Sequence, residues 1–223
     1  MKIINAGYEI FDLPKADDVL KKLEYACRIC YKSHDKIKEG SAEKIIKSVI
    51  KSGHTSVIEH YGISVLFKID RGISHELVRH RHLSVSQTST RYVNYSKEKF
   101  GKEITVIKPF FFKEDFDSYK LWLSAMEFAE NIYMEMISKG IKAEKARSVL
   151  PQSTATEVFT TANITHWRHI LNLRCSSKSH PQIREVMIPF LKELYEWCPI
   201  LFEDLYLKYE KYMDMEWMNH IEV

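Results

Sequence analysis

A row of cationic and imidazole side chains, Arg79-His80-Arg81-His82, limits where the backbone of this chain can run. It continues as a hydroxyl-rich stretch, Ser84, Ser86, Thr88, Ser89 and Thr90, and closes on Arg91. Arginine forks match phosphate and carboxylate oxygens two at a time, and hydroxyls and loop amides fill the lone pairs left over. Burying such a row without counter-anions is costly, because each unpaired charge carries a large desolvation penalty. The stretch is therefore either solvated surface or a cradle completed by anionic ligands. Apolar Ile73, Leu77 and Val78 precede it and Tyr92 and Val93 follow, which ties it to a packed body and favours the cradle.

Composition narrows the setting. With 223 residues, 45% hydrophobic and 28% charged, the chain reads as one domain over 1–223, and wholesale disorder is excluded. A net charge of +3 permits anionic ligands but falls short of a dedicated nucleic-acid binder. No apolar run approaches the roughly 18 residues of a membrane span, and MKIINAGYEI lacks a signal-peptide core, so the cytoplasm is expected. Cys27 and Cys30 form a CxxC on a helical pattern, while Cys175 and Cys198 stand apart. These read as packing residues in a reducing compartment, not as a zinc site or a disulfide framework.

Periodicity gives the elements. Lys2 to Phe11 reads as a first strand, and Ala16 to about Tyr31 as an amphipathic helix. Ser41 is placed as the N-cap of a second helix that Gly53 ends. Tyr61, Ile63, Val65, Phe67 and Ile69 alternate along the clearest strand, Tyr61 to Asp70. A helix from about Ile73 to His82 then delivers the basic row into a loop, and Ile104 to Ile107 reads as a strand. The longest helix, about Asp117 to Lys139, takes its period from Leu121, Ala125, Phe128, Ile132 and Met136. A helix over Lys142 to Val149, a strand over Thr154 to Thr161 and a helix over Thr165 to Leu173 follow. Pro181 opens the next helix, Pro189 is expected to kink it, and Pro199 separates it from a polar, aromatic C-terminal helix. The result is an α/β (α+β) domain with a small mixed or antiparallel sheet flanked by helices.

Several chemistries are absent from the motifs. The seven glycines form neither G-x-G-x-x-G nor a Walker loop, so a bound nucleotide must be held by side chains. There is no G-x-S-x-G and no H-E-x-x-H. His75, His80 and His82 crowd together, but Arg79 and Arg81 oppose a divalent cation and only Glu76 offsets them, so no metal is expected. Three patches share the polarity of the basic row. Gly53 to His60 carries His54, Ser56, Glu59 and His60; Ala146 to Pro151 carries Arg147; and Asn163 to Arg174 groups Thr165, His169 and Asn172, with Trp167 read as core. Such scattered cationic and amide patches suit a ligand with several anionic groups. The alternative is an RNA-binding module in which the 79–91 segment grips phosphates and Tyr92 and Tyr95 stack bases.

Arg79-His80-Arg81, Ser84, Ser89 and Arg91 fit the RHRxxSxxxxSxR signature of the flavin-dependent thymidylate synthases, and Tyr92 follows as in that family. GHTSVIEH before it, and ARSVLP and NITHWRHILNLR after it, extend the resemblance over nearly the whole chain. The resemblance implies the fold of that family and reductive methylation of dUMP to dTMP. It further implies methylenetetrahydrofolate as carbon donor, FAD as hydride carrier, NADPH as reductant and a homotetramer with active sites between subunits. Carried across, it assigns Ser56, Arg79, His80, Arg81, Gln87, Asn163, Thr165 and His169 to the flavin nucleotide. It assigns Gln87, Thr88, Ser89, Thr90, Arg91, Arg147 and Arg174 to dUMP, with Glu76, Leu77, Val78 and Arg79 reaching the substrate from a neighbouring chain. Arg174 is the catalytic residue in this scheme. It lies against the uracil edge, where a positive charge favours the ionised base. Four positions depart from the family pattern: Glu76 for glutamine, Ser56 for threonine, Thr165 for arginine and Ser86 for asparagine.

Overall fold

A computed structural model describes residues 1–11, 13–114 and 116–214. Its centre is a pair of nine-residue antiparallel strands, Gly62–Asp70 and Ala155–Asn163, in register from Gly62↔Asn163 to Asp70↔Ala155. In chain order the strands are β1 (Lys2–Ile4), β2 (Gly7–Phe11), β3 (Gly62–Asp70), β4 (Ser84–Gln87), β5 (Thr105–Ile107) and β6 (Ala155–Asn163). Four of them form an antiparallel sheet in the order β2-β3-β6-β4, and β1 pairs with β5 in parallel. The helices are α1 (Ala16–Ile29), α2 (Ser41–Lys51), α3 (Arg71–Leu77), α4 (Asp117–Ser138), α5 (Ala143–Ala146), α6 (Ile164–Arg174), α7 (Pro181–Trp197) and α8 (Pro199–Tyr209).

The period-2 alternation does its expected work. Ile63, Val65, Phe67 and Ile69 lie opposite Ala162, Thr160, Val158 and Thr156, and all eight are buried on one face. Thr160 is tolerated there because its hydroxyl donates to the Val65 carbonyl at 3.0 Å. Helices α6 and α7 cover this face, with Trp167, Phe67 and Phe190 in mutual ring contact at 5.1–6.2 Å. The other face is more exposed and carries Ser64–Thr161 hydroxyls at 2.8 Å and a Lys68–Glu157 pair at 3.7 Å. A second apolar cluster, built on Ile104, Val106, Trp122, Met126, Tyr133 and Ala146, packs α4 and α5 near β5.

Several expectations from the sequence need correction. Lys2 to Phe11 is two strands in two sheets, because the chain leaves β1 at Asn5-Ala6 before pairing with β3. Ser41 lies inside α2, not at its cap. Left-handed Gly40 precedes it, and its buried hydroxyl is held between Glu24 and the Lys38 amide. Helix α3 stops at Leu77, and His82 has φ 63°, so the basic row follows a turn. Ser84–Gln87, read as loop, is an edge strand against β6. The Lys142 to Val149 helix is one short turn, α5, followed by a 3-10 turn at Arg147–Val149. Helix α7 continues through Pro189. In α4 the first half of the expected core stripe faces outward, with Leu121 and Phe128 73% and 68% exposed, while Ile132 is half-buried, Met136 packs against the second cluster, and Trp122, Met126 and Tyr133 are buried. Among the described residues, no helix is long and apolar enough to cross a membrane.

Trp167 is the joint between sheet and site, since it is fully buried, donates from Nε1 to the Ile63 carbonyl at 2.9 Å, and sits on the helix that carries Arg174. Trp167→Ala should cost about 3–5 kcal/mol, as large-to-small core changes of aromatic residues do. Urea unfolding followed by circular dichroism checks this.

Candidate active site

The two central strands end in the same device. Asp70, closing β3, accepts the Ile73 amide at 2.8 Å and caps α3; Asn163, closing β6, accepts the His166 amide at 2.8 Å and caps α6. Because the strands are antiparallel, the helices start at opposite ends of the ladder, and their C-terminal ends meet. At that junction Arg174, the last residue of α6, donates from Nη1 to Glu76 Oε2 at 2.6 Å. It also donates from Nη2 to the Glu76 carbonyl at 3.0 Å and from Nε to His80 Nε2 at 2.9 Å. This contact lies within one chain and ties the end of α6 to the last turn of α3.

His80 accepts at Nε2, so it is neutral with its proton on Nδ1. Burial holds its pKa down at about 4, helped by the Arg174 charge and by His166 and His169. His166 stacks on His169 at 5.8 Å, and both rings lie 6.2–6.3 Å from His80; His82 is 6.0 Å from His166. The His166 pKa is also lowered, first by burial, then by His169 and His82, and its Nε2 is buried without a hydrogen-bond partner. His166 was missed in the sequence, although its i,i+3 spacing from His169 puts the two side by side on a helix. Among the described residues, no group of three or more His, Cys, Asp or Glu side chains has a geometry that could hold a metal ion.

The other expected residues fall around this junction in two sets. Thr165 donates to the Thr55 carbonyl at 2.7 Å, which draws the Thr55–His60 turn and exposed Ser56 to the start of α6. His169 is exposed beside His80. Arg79 and Arg81 are exposed, and among the described residues neither has a carboxylate partner. Asn163 spends its side-chain oxygen on the cap. Leu77 is fully buried, so only its main chain can face a ligand, whereas Val78 is partly exposed. In the second set, Gln87 donates to the Ser74 and Thr156 hydroxyls at 2.9 and 3.2 Å, and Arg147 donates to the buried Thr90 hydroxyl at 3.4 Å. Thr88 lies against Glu157, Ser89 turns the chain, and Arg91 is exposed beside Tyr92. Helix α3, carrying both Ser74 and Glu76, joins the two sets. Asn172 does not belong with Thr165 and His169, because it accepts from Lys208 and Tyr209 on α8. Cys175 is buried, with its thiol pushed far up by desolvation, and is no nucleophile.

A family model described as "Thymidylate synthase complementing protein" matches residues 13–200. The chain is 31% identical over 203 residues to a flavin-dependent thymidylate synthase of Corynebacterium aurimucosum, covering 83% of this chain and 79% of the relative. To the enzymes so named of Mycobacterium tuberculosis and Pyrococcus furiosus the identities are 33% over 200 residues and 32% over 184. The coverage is 82% and 78% of this chain, and 78% and 74% of the relatives. Among solved structures, the fold resembles a UMP/dUMP methylase of Streptomyces cacaoi bound with 5-Br dUMP, with TM-score 0.73 and 24% identity, covering 91% of this chain and 96% of that one. The comparisons lend no support to RNA binding.

The neutral imidazole gives the junction a pH signature. His80 binds its proton less readily in the folded chain, at about 4, than at its ordinary 6.5. Its contribution is therefore complete above pH 6.5 and is lost as pH falls towards 4. Glu185, pushed up to about 7 by burial and then by Asp70, titrates with the opposite sign in part of that window. The difference between wild type and His80→Gln isolates the imidazole. The thermal midpoint of wild type should fall more steeply than that of His80→Gln between pH 6.5 and 4, as read by differential scanning calorimetry.

Proposed function

From its membership of the flavin-dependent thymidylate synthase family, to which this chain belongs, we propose that it methylates dUMP to dTMP with FAD as cofactor. Methylenetetrahydrofolate is the carbon donor and NADPH the reductant in this reading. The observation that carries it is the Arg174 guanidinium, fixed by Glu76 and neutral His80 where two helices meet, with cationic Arg79 and Arg81 exposed beside it.

The residues fit a dinucleotide flavin. Two exposed arginines without a carboxylate partner among the described residues match a pyrophosphate. The buried, unpartnered Nε2 of His166 marks polar capacity that the protein alone leaves unused. Arg79, Arg81, Ser56 and His169 hold the cofactor, and the main chain at Thr165 and Asn163 lies against it. When bound, the flavin supplies the electrons that reduce the transferred carbon to a methyl group. Gln87 to Arg91 and Arg147 take the dUMP phosphate and sugar, each charge-assisted hydrogen bond being worth roughly 1.5–3 kcal/mol. Arg174 donates to the ring edge of the pyrimidine and, as a positive charge there, favours the ionised base, whose added electron density activates the ring carbon that receives the one-carbon unit.

Association of copies completes the site. Support for a homotetramer comes from α4, whose Leu121, Ala125 and Phe128 form an exposed apolar stripe at helical spacing. Exposed Arg79 reaches the substrate of a neighbouring copy in this reading. The whole chain, 1–223, acts as one catalytic unit, because the second apolar cluster is tied to the central sheet through the Val106–Thr154 bridge. A cytoplasmic setting agrees with four free cysteines.

Arg174→Ala should lower dTMP formation by roughly two to three orders of magnitude, as loss of a preorganised donor does, with bound-flavin absorbance largely retained. Turnover at the wild-type rate overturns its assignment. Mixing Arg79→Ala and Arg174→Ala subunits, each inactive alone, should restore part of the activity after verified subunit exchange. No recovery removes the shared site.

A further inference from the structure

The first turn of α6 holds a polar atom that the fold does not use. His166, whose amide is capped by Asn163, has its Nε2 buried with no hydrogen-bond partner among the described residues. Three further imidazoles lie around it, with His169 stacked at 5.8 Å, His82 edge-on at 6.0 Å and His80 edge-on at 6.3 Å. The residue before it is Thr165, where the family pattern has arginine, and its hydroxyl is engaged by the Thr55 carbonyl at 2.7 Å. Position 165 therefore offers an anion no cation, while the next residue is an imidazole that becomes one by taking a proton.

We propose that His166 takes up a proton from solvent when the flavin diphosphate binds, so that its imidazolium replaces the fixed charge that position 165 lacks and ties cofactor affinity to pH. This rests on the FAD reading above and adds a regulation to that site. In the free chain burial disfavours the charged ring, and His169 and His82 act in the same direction. That burial is already in place before the ligand arrives, so binding adds chiefly charge. A diphosphate held by exposed His169 and Arg81 comes close to His166 without having to touch it, because His169 is its stacking partner. One negative charge about 6 Å away raises the proton affinity of an imidazole roughly hundredfold, at an effective dielectric of about 20. Arg79 and Arg81 are charged in both states and do not alter that difference.

The titratable and charged groups around His166 are His80 and His82 from the turn after α3, His169 on α6, and exposed Glu59 and His60 of the Thr55–His60 turn. On α6 itself Arg168 is paired with Asp204 of α8, and Arg174 with Glu76 of α3. The test is calorimetric titration of FAD into the full chain freed of flavin, between about pH 6 and 8. Buffers of differing ionisation enthalpy count the protons taken up on binding. The FAD diphosphate keeps its charge over this range, so the ligand contributes none. Wild type should take up at most about one proton per chain, and its FAD affinity should fall with rising pH by up to about tenfold per pH unit. His166→Gln should lose the uptake and flatten the affinity. A fixed cation beside the ring disfavours its protonation in both states. Thr165→Arg should therefore lower the uptake near pH 8 and bind FAD there more tightly than wild type. Binding by wild type without proton uptake overturns the proposal, as does uptake in His166→Gln equal to that of wild type. If that variant does not fold, Thr165→Arg decides, and unchanged uptake overturns the proposal. Failure of FAD to bind at any pH instead overturns the cofactor reading, and this inference with it.

Discussion

The pairing of β3 with β6 fixes nearly everything else in this molecule. Nine residues in register bury Phe67, Val158 and their neighbours, and the same register determines where Asp70 and Asn163 fall. Each of those side chains then starts a helix at its own end of the ladder. A one-residue slip would turn the buried set of a strand to the opposite face and move its capping residue by more than 3 Å along the sheet. The core and the site are therefore set by one alignment.

Where the helices converge, the electrostatics are local. The C-terminal end of a helix favours a cation, and Arg174 ends α6 in that position. Glu76 lies in the last turn of α3, where the dipole opposes an acid, and its ion pair with Arg174 offsets the mismatch. Both side chains keep part of their exposure, so the pair that ties α3 to α6 can also be reached by a ligand. His80 belongs to the same balance, because its burial keeps it an acceptor for Arg174 near neutral pH.

Much of this was legible in the residues. The alternation from Ile63 to Ile69 identified the central strand, and the basic row identified the region of the site. What failed has physical causes. Ser84 to Gln87 reads as loop because an edge strand needs little apolar alternation and its β6 partner lies about 70 residues away in sequence. Leu121 and Phe128 are as apolar as Trp122 and Met126, so periodicity alone did not say which stripe of α4 faces inward. Glu76 stood out as a departure, but only tertiary contact reveals that its partner is Arg174. His166 carried a helical-spacing signal towards His169, while its buried, unpartnered nitrogen depends on packing that no local pattern encodes.

The distance along the chain between the two halves of the junction has a consequence for biogenesis. Glu76 and Arg174 are 98 residues apart, and both depend on a ladder whose strands are similarly remote. During synthesis from the N-terminus, α3 and the basic row leave the ribosome long before β6 exists to align them. Contacts of such long range form slowly. The nascent polypeptide therefore spends much of its translation with β3 lacking its main partner and its apolar face uncovered, a window in which chaperones would matter more than for a protein built from local contacts.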